Sequence, residues 1–300
     1  MVTRFLSYVE IKTKITSLFA FLLSIAYLFY AKQSINWKLT LIFFASMFLF
    51  DLTTTAINNY IDTRTNNQTL QFERKTALII IFVLFGISAA LGLVLVYFTD
   101  IVVFLVGGLC FLCGILYTYS PIPISRQPLG ELMSGIFYGL FIPFLVLYIN
   151  MPAGTYLTLN LGIDEIIIHI NVFPVITLLF LSVAPICTTA NIMLANNICD
   201  LEEDIKVKRY TLPYYLGGKS LYLFAGIYYI TYLATIMMVI LDILSPISLI
   251  SLFTIFIVHK NIKKFMKKQE KKTTFIVSIK NYVIIMASNT LLIFISGLLT

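Results

Sequence analysis

The sequence predicts an all-α membrane protein with nine spanning helices, its N-terminus in the cytoplasm and its C-terminus outside. Of its 300 residues, 59% are hydrophobic and only 12% are charged, and the mean hydropathy is +0.94. Soluble domains are about 45–50% apolar and about 25% charged. Apolar runs of spanning length also recur along the chain, and basic residues concentrate in alternate loops. The composition therefore excludes a soluble enzyme, a disordered protein and a secreted disulfide scaffold.

Nine apolar runs approach the roughly 20 residues that a spanning helix needs. They cover approximately residues 15–31, 38–61, 76–98, 101–119, 129–150, 171–199, 218–241, 244–259 and 279–299. The least distinct boundary separates the seventh and eighth runs, where only Asp242 to Pro246 interrupts the apolar sequence. We expect residues 1–300 to form a single transmembrane domain.

The distribution of basic residues predicts the orientation. With the N-terminus in the cytoplasm, 19 of the 21 Lys and Arg residues fall on the cytoplasmic side, and only Lys32 and Lys38 lie outside. This asymmetry follows the positive-inside rule, and a miscount by one helix would mix basic and non-basic loops. Eight of these residues lie between Lys260 and Lys280, a stretch that we interpret as a topology determinant. The net charge of +7 favours an anionic lipid surface and an anionic substrate as partners, not nucleic acid.

Polar side chains cluster at the cytoplasmic end of the second predicted span. Asn58, Asp62 and Asn66 follow one another at intervals of four residues. On a helix, residues with this spacing share one face, with a drift of about 40° per step. Carboxylates beside a membrane helix are costly and by default indicate function. A single cluster of this kind is also typical of an ordinary helix end.

A second cluster repeats the pattern at the end of the sixth predicted span. Asn196, Asp200 and Asp204 have the same spacing and lie on the same side of the membrane. Basic residues follow both clusters, namely Arg74 and Lys75 after the first and Lys206 and Arg209 after the second. Hard oxygen ligands of this kind suit Mg²⁺, which keeps several waters and binds through a few carboxylates and substrate phosphates. The repetition favours a Mg²⁺ and diphosphate site at the cytoplasmic surface of the cell membrane.

Three segments resemble the UbiA superfamily of intramembrane prenyltransferases. Residues 196–204 read NNICDLEED and residues 208–213 read KRYTLP, which is similar to the second motif of the MenA branch. Asn58 and Asp62 match the family's N-x-x-x-D motif, and residues 117–121 (YTYSP), 123–126 (PISR) and 128–132 (PLGEL) also have MenA-like character. Enzymes of that branch transfer a polyprenyl group to 1,4-dihydroxy-2-naphthoate. The resemblance extends over nearly the whole chain.

The resemblance implies a Mg²⁺-dependent aromatic prenyltransferase and a role for each motif residue. Asp62, Asp200 and Asp204 are the implied catalytic metal ligands, with Asn58, Asn66 and Asn196 as further ligands. Implied diphosphate contacts are Asn58, Lys12, Arg74, Lys75, Lys206 and Arg209, with Lys14 as an alternative to Lys12. Tyr117 and Tyr119 are candidates to face the allylic cation, and Arg126 to contact the acceptor carboxylate. These side chains are equally consistent with interfacial anchors.

The implied reaction begins with a polyprenyl diphosphate that ionises in a site closed to water. The naphthalenediol ring then attacks the allylic cation, CO₂ leaves, and a demethylmenaquinol for menaquinone biosynthesis results. One position departs from the family pattern, because Asn66 stands where a second Asp is common. Three alternatives follow: a related enzyme with another acceptor such as 4-hydroxybenzoate, homogentisate, haem or a lipid; a non-catalytic relative; and a transporter. A transporter is less favoured because transporter sites usually lie near the bilayer midplane.

Overall fold

The computed structural model describes residues 1–63, 69–121 and 123–299, and its contacts divide into two compact units. The first unit comprises Met1–Leu18 and Asn36–Ser125, and the second comprises Phe19–Ile35 and Arg126–Thr300. The expectation of one domain over residues 1–300 stays a prediction, and each unit is described by itself.

Helices α1, α3, α4 and α5 belong to the first unit. Helix α2 begins in the first unit, but most of its residues belong to the second. Their bounds are Val2–Tyr8 (α1), Ile15–Tyr30 (α2), Trp37–Asp62 (α3), Arg74–Phe98 (α4) and Ile101–Leu116 (α5), with a 3₁₀ turn at Ile11–Lys14. The Asn36 side chain caps α3 by accepting from Leu39 N, and the Asp100 side chain caps α5 by accepting from Val102 N. These caps satisfy amide groups that a helix start leaves without partners.

Helices α3 and α4 form the main packing interface of the first unit. Ser46 Oγ donates to Ser88 O at 2.8 Å, and Ser88 Oγ donates to Ser46 O at 2.7 Å. Small hydroxyl residues let two membrane helices approach closely and join them by hydrogen bonds. The apolar core nearby consists of Tyr8, Val9, Leu52, Ala56, Ala77, Ile81 and Leu84.

The second unit contains the remaining helices and one β-hairpin. A 3₁₀ turn at Ile124–Arg126 precedes α6 (Gly130–Ile136), a π-helical turn at Phe137–Phe141 and α7 (Ile142–Tyr148). After the hairpin come α8 (Val172–Cys199), α9 (Leu201–Lys206), α10 (Leu212–Leu216), α11 (Lys219–Ile240), a 3₁₀ segment (Pro246–Thr254), α12 (Ile255–Lys267) and α13 (Ile276–Leu299). Helix α8 packs against α6, α11 and α13 and is therefore central to this unit.

Within the described ranges, seven helical segments are long and apolar enough to cross a membrane. They correspond to the first, second, third, fifth, sixth, seventh and ninth predicted spans. The fourth predicted span corresponds to α5, which has only 16 residues. The eighth corresponds to the 3₁₀ segment Pro246–Thr254 followed by α12. The helical character is confirmed, whereas the nine-span count and the orientation remain predictions.

The hairpin is a departure from the all-α expectation. Strands β1 (Leu157–Leu161) and β2 (Ile166–Ile170) pair in antiparallel register, with Leu157 opposite Ile170 and Leu161 opposite Ile166. The backbone N–H of Gly162 donates to Glu165 O at 2.9 Å and closes the turn. The β-branched isoleucine run of β2 favours an extended strand, because branching at Cβ restricts the side chain less on a pleated surface than in a helix.

Candidate active site

The first motif lies on the last turns of α3. Helix α3 extends to Asp62, so Asn58 and Asp62 are one helical turn apart and share a face. Both side chains are half-buried, and Asn58 Oδ1 accepts a hydrogen bond from Thr118 Oγ1. Asn66, the third predicted member of this cluster, lies outside the described residues. The structure thus brings Asn58 and Asp62 together at the end of α3, where both side chains remain partly accessible to solvent.

The N-terminal segment holds the end of α3 in place. The Tyr8 hydroxyl donates to Ala56 O at 3.0 Å, and Asn59 Nδ2 donates to Tyr8 O at 2.8 Å. Burial raises the pKa of Tyr8 well above its ordinary value, so the phenol stays a donor. These contacts fix the backbone that carries Asn58 and Asp62.

The Arg74 guanidinium lies at the C-terminal end of α3. It donates to Tyr60 O at 3.2 Å and to Thr63 O at 3.4 Å, and it stands 5.4 Å from the centre of the Tyr60 ring. Cations are favoured at helix C-termini, where the carbonyl groups carry partial negative charge. This position next to Asp62 suits both a structural role and the predicted diphosphate contact. The other basic candidates of this unit, Lys12 and Lys75, are exposed.

Lys14 forms a buried ion pair in the first unit. Its ammonium lies 2.8 Å from Asp51 Oδ1 and also donates to Asp51 O and Thr55 Oγ1, while Ser17 Oγ donates to Asp51 Oδ2 at 2.7 Å. The side chains of Lys14 and Asp51 are only 4% and 5% exposed. Such a network neutralises two charges inside the apolar part of the unit. Lys14 is therefore committed to a structural contact.

The second motif spans the junction between α8 and α9. Helix α8 ends at Cys199, yet Asp200 N donates to Asn196 O at 3.0 Å and Asp204 N donates to Asp200 O at 2.8 Å. The helical hydrogen-bond spacing therefore continues across the junction. Asn196 Oδ1 and Asp200 Oδ2 both accept hydrogen bonds from the Lys271 ammonium, the latter at 2.5 Å. Two of the predicted ligands thus converge on one cation.

The third member of this motif is buried beside Arg209. Asp204 Oδ1 lies 3.7 Å from Arg209 Nη1, and Asp204 Oδ2 is buried without a hydrogen-bond partner among the described residues. Burial raises the pKa of Asp204 to about 6, and the Arg209 charge opposes this shift. Lys206, also predicted as a diphosphate contact, is exposed on α9.

Glu131 and Asn197 form a buried polar pair in the same unit. Asn197 Nδ2 donates to Glu131 Oε1 at 2.8 Å, and Glu131 is 4% exposed. Glu131 Oε2 and Asn197 Oδ1 are buried without hydrogen-bond partners in the described part of the chain. Buried oxygens without donors are costly in a closed site and are satisfied by a bound cation or water.

The donor set fits a hard cation such as Mg²⁺. Amide and carboxylate oxygens of Asn196 and Asp200 already share an ammonium ion, and Asp204 contributes an unpartnered oxygen nearby in sequence. Within the described ranges, no three His, Cys, Asp or Glu side chains are grouped closely enough to hold a metal. Mg²⁺ does not need such a cage, because it completes its shell with water and substrate phosphates.

The remaining predicted contacts lie in the segment between α5 and α6. Tyr117 is half-buried and its carbonyl accepts from Ser125 N at 2.9 Å, whereas the Tyr119 side chain is 69% exposed. The Arg126 carbonyl accepts from Tyr210 N at 3.1 Å, which ties Arg126 to the segment that follows the second motif. The roles of these three side chains at the cation and acceptor stay predictions.

Sequence reasoning did not single out Asp51, Asn197 or Lys271 as site residues. Asp51 was detectable, because a carboxylate within an apolar run calls for a partner. Lys271 gave no signal, because it lies 71 residues from Asp200 and among many lysines. Only the folded chain shows which lysine meets the motif.

A helical membrane protein with acidic motifs at two helix ends is the class that this fold and these side chains define. The chain belongs to the UbiA prenyltransferase family, whose sequence profile matches residues 17–280. This confirms the resemblance drawn from the motifs.

One curated relative and several solved structures are similar to the chain. The 1,4-dihydroxy-2-naphthoate octaprenyltransferase of Bacillus subtilis (strain 168) is 27% identical over 219 residues, which cover 69% of this chain and 63% of the relative. A digeranylgeranylglyceryl phosphate synthase structure gives a TM-score of 0.67 at 17% identity and covers 100% of this chain and 99% of its own.

Two further solved structures are of UbiA homologues. The apo homologue from Aeropyrum pernix K1 gives a TM-score of 0.65 at 16% identity, covering 92% of this chain and 96% of its own. The homologue from Archaeoglobus fulgidus bound to DMAPP and Mg²⁺ gives 0.61 at 13% identity, covering 97% of this chain and 99% of its own. These likenesses establish the UbiA fold for this chain.

Proposed function

We propose that this protein transfers a polyprenyl group from its diphosphate to 1,4-dihydroxy-2-naphthoate, with loss of diphosphate and CO₂, to give demethylmenaquinol. The observation that carries the proposal is the convergence of Asn196 and Asp200 oxygens on one cation at the end of a membrane helix. The MenA-like sequence of residues 196–213 and the naphthoate-prenylating relative support the choice of acceptor.

We assign each candidate residue a role in binding metal, diphosphate, allylic cation or acceptor according to its charge and position. Asp62, Asp200 and Asp204, with Asn58, Asn66 and Asn196, supply oxygen ligands for Mg²⁺. When bound, Mg²⁺ stabilises the negative charge that develops on the departing diphosphate. Arg209, Lys206, Arg74, Lys75 and Lys12 supply further positive charge for the diphosphate oxygens. Tyr117 and Tyr119 offer aromatic faces to the allylic cation, and Arg126 offers its guanidinium to the acceptor carboxylate.

The location is also part of the proposal. An active site at the cytoplasmic face of the cell membrane receives a water-soluble naphthoate from one side, while the prenyl chain lies among lipids and apolar side chains. The cytoplasmic placement is supported by the concentration of Lys and Arg around both motifs.

The test is a turnover assay on purified protein in nanodiscs. We expect geranyl diphosphate, 1,4-dihydroxy-2-naphthoate and Mg²⁺ to give a prenylated naphthoquinone by mass spectrometry, and EDTA to abolish it. Asp200→Asn removes a ligand charge, and exposed Glu202→Gln on the same segment is the matched control. We expect Asp200→Asn to lower kcat at least about 100-fold, as for removal of a transition-state charge contact.

Two other results would contradict parts of the proposal. Diphosphate release without a prenylated naphthoate would show that the acceptor is a different one, and 4-hydroxybenzoate would be tried next. Neither product nor diphosphate release, from protein that remains folded, would show a non-catalytic relative.

A further inference from the structure

Lys271 lies against two residues of the second motif. Its ammonium donates to Asn196 Oδ1 and to Asp200 Oδ2, the latter at 2.5 Å. The side chain of Lys271 is 46% exposed and that of Asp200 is 25% exposed. The contact therefore forms at the accessible edge of the unit, where the ammonium can leave without crossing a packed core.

The turn that carries Lys271 is well ordered by hydrogen bonds. The Glu270 carbonyl accepts from Thr274 N at 2.9 Å and from Phe275 N at 3.0 Å, and Glu270 N donates to Thr274 Oγ1 at 2.8 Å. The Phe275 ring lies 5.1 Å from the Lys271 ammonium, within the range of a cation–π contact. The backbone of this turn thus directs Lys271 towards the motif.

Neighbouring charges single out Lys271 within the lysine-rich stretch. Lys268 is paired with Glu270 at 2.6 Å, so its charge is already compensated inside the turn. Lys272 is exposed. The positive-inside bias explains why the stretch is basic, but it does not explain why one ammonium lies on two oxygens of the motif.

We propose that Lys271 is an internal cation that occupies the Asn196 and Asp200 oxygens until Mg²⁺ displaces it, and that the displaced ammonium then binds the substrate diphosphate. This inference rests on the proposed function, because it takes these oxygens as metal ligands. An ammonium and a metal ion cannot share the same lone pairs, so Lys271 weakens metal binding when no diphosphate is present. A diphosphate offers the released ammonium a new anionic partner.

The consequence is cooperative binding of metal and diphosphate. Mg²⁺ and diphosphate each make binding of the other more favourable. The metal displaces the Lys271 ammonium from the motif, and the diphosphate stabilises that ammonium in its displaced position. By linkage, the factor must be the same in both directions. The empty site is thereby protected against adventitious cations, and the substrate arrives together with its metal.

The test measures Mn²⁺ and diphosphate binding separately, without turnover. Protein in zwitterionic phosphatidylcholine nanodiscs is titrated with Mn²⁺ by electron paramagnetic resonance, and binding of ³²P-labelled inorganic diphosphate is measured at saturating Mn²⁺. Lys271→Gln keeps the stem of the side chain and removes its charge. Lys272→Gln is the matched control, with the same charge change one residue away.

We expect the two affinities of Lys271→Gln to move in opposite directions. Mn²⁺ alone should bind about tenfold more tightly than to the parent protein, and diphosphate about tenfold more weakly, as for a charge-assisted hydrogen bond. Lys272→Gln should stay within about twofold in both measurements. Weaker binding of both Mn²⁺ and diphosphate to Lys271→Gln would overturn the inference, because removal of a competing ammonium cannot weaken metal binding.

Other outcomes overturn the inference or the function beneath it. Equal tightening of Mn²⁺ by both glutamine variants would show a general charge effect and overturn the role of Lys271. Weaker diphosphate with unchanged Mn²⁺ binding would make Lys271 a simple phosphate ligand and would also overturn it. Asp200→Asn can also be introduced into the parent protein and into Lys271→Gln. If it leaves Mn²⁺ binding unchanged in both, the result would contradict the proposed metal site and not only the role of Lys271.

Discussion

Two buried carboxylates, Asp51 and Asp204, differ in how completely the folded chain supplies them with partners. Lys14 and Asp51 satisfy each other inside the first unit with the help of Ser17 and Thr55. Asp204, in contrast, has a buried oxygen with no hydrogen-bond partner among the described residues. The first arrangement is complete without a ligand, whereas the second is unfavourable until a cation arrives. This difference separates a structural ion pair from a candidate binding residue.

We expect Lys14→Met to destabilise the protein strongly. The substitution keeps an apolar stem but leaves the Asp51 carboxylate, 5% exposed, without its ammonium. Loss of one partner from a buried pair costs about 3–5 kcal/mol. Thermal unfolding in nanodiscs would measure it, with exposed Lys12→Met as a control that should change little. The double variant Lys14→Met, Asp51→Leu should regain most of the loss; equal instability would contradict the ion-pair explanation.

A second residue-scale prediction concerns Asp204 in metal-free protein. Its raised folded-state pKa, about 6, means that ionisation disfavours the folded state. Its contribution to stability is therefore greatest below the unfolded pKa of about 4 and is lost as pH rises through about 6. We expect Asp204→Asn in EDTA to raise Tm by several degrees at pH 7.5 and by clearly less at pH 5, which lies midway between the unfolded and folded pKa values. In a separate assay with Mg²⁺ present, the same substitution should reduce turnover. Equal effects at both pH values would contradict the burial argument, and Glu203→Gln serves as the exposed control.

At the scale of elements, the junction of α6 and α7 with α8 depends on two glycines. A Cβ on Gly139 would lie 2.2 Å from Ile186 N, and one on Gly135 would lie 2.9 Å from Ile186 O. These glycines form a G-x-x-x-G pattern that lets membrane helices approach closely. Pro185 lies within α8 at this contact, and a π-helical turn spans Phe137–Phe141. The close approach positions Glu131 on α6 beside Asn197 on α8.

We expect Gly139→Ala to destabilise the protein by about 3 kcal/mol or more, since the methyl group meets backbone that cannot yield. Gly226→Ala is the matched control, because a Cβ there meets nothing within 4 Å. That control should be neutral or slightly stabilising, by up to about 1 kcal/mol from helix propensity. The measurement is thermal unfolding of both variants in the same detergent. Similar Tm values for the two would contradict the importance of the contact.

For the molecule as a whole, the charge distribution predicts its orientation. The turn of the hairpin holds Asp164 and Glu165, and Ile163 is fully exposed there. We expect a cysteine at Ile163 to react with a membrane-impermeant maleimide in intact cells. A cysteine at exposed Lys263 should react only after the cells are permeabilised. The parent protein provides the background from its four native cysteines, and the reverse labelling pattern would overturn the proposed orientation.

Much of the fold could be predicted from the sequence because membranes impose long, uninterrupted helices. Seven predicted spans match helices within about four residues at each end. The hairpin at Leu157–Ile170 could not be predicted from apolar run length, since short isoleucine-rich segments suit strand and helix alike. The 3₁₀ geometry of Pro246–Thr254 could not be predicted either, because hydropathy does not distinguish a 3₁₀ helix from an α-helix.

The sequence predicted those parts of the candidate site that depend on the spacing of residues within one motif, but not the partners that these residues meet in the folded chain. Asn196, Asp200 and Asp204 follow from their intervals of four residues, but α8 ends at Cys199 and the three side chains do not stay on one continuous helix. Asp204 turns inward beside Arg209, while Asn196 and Asp200 meet Lys271. Which partner each side chain meets depends on the segments packed around the junction at Asp200, because the backbone hydrogen bonds keep their helical spacing through it.

The sequence by itself determined that this chain is mostly helical, where seven long apolar helices lie to within about four residues, and which helix ends carry oxygen ligands. These properties depend on apolar length, capping residues and short-range spacing, all of which act along the chain. Tertiary structure alone decided that Lys14 binds Asp51, that Glu131 meets Asn197 and that Lys271 lies on the second motif. These contacts join residues 37 to 75 positions apart. Their partners are fixed by helix packing, which leaves no periodic trace in the sequence.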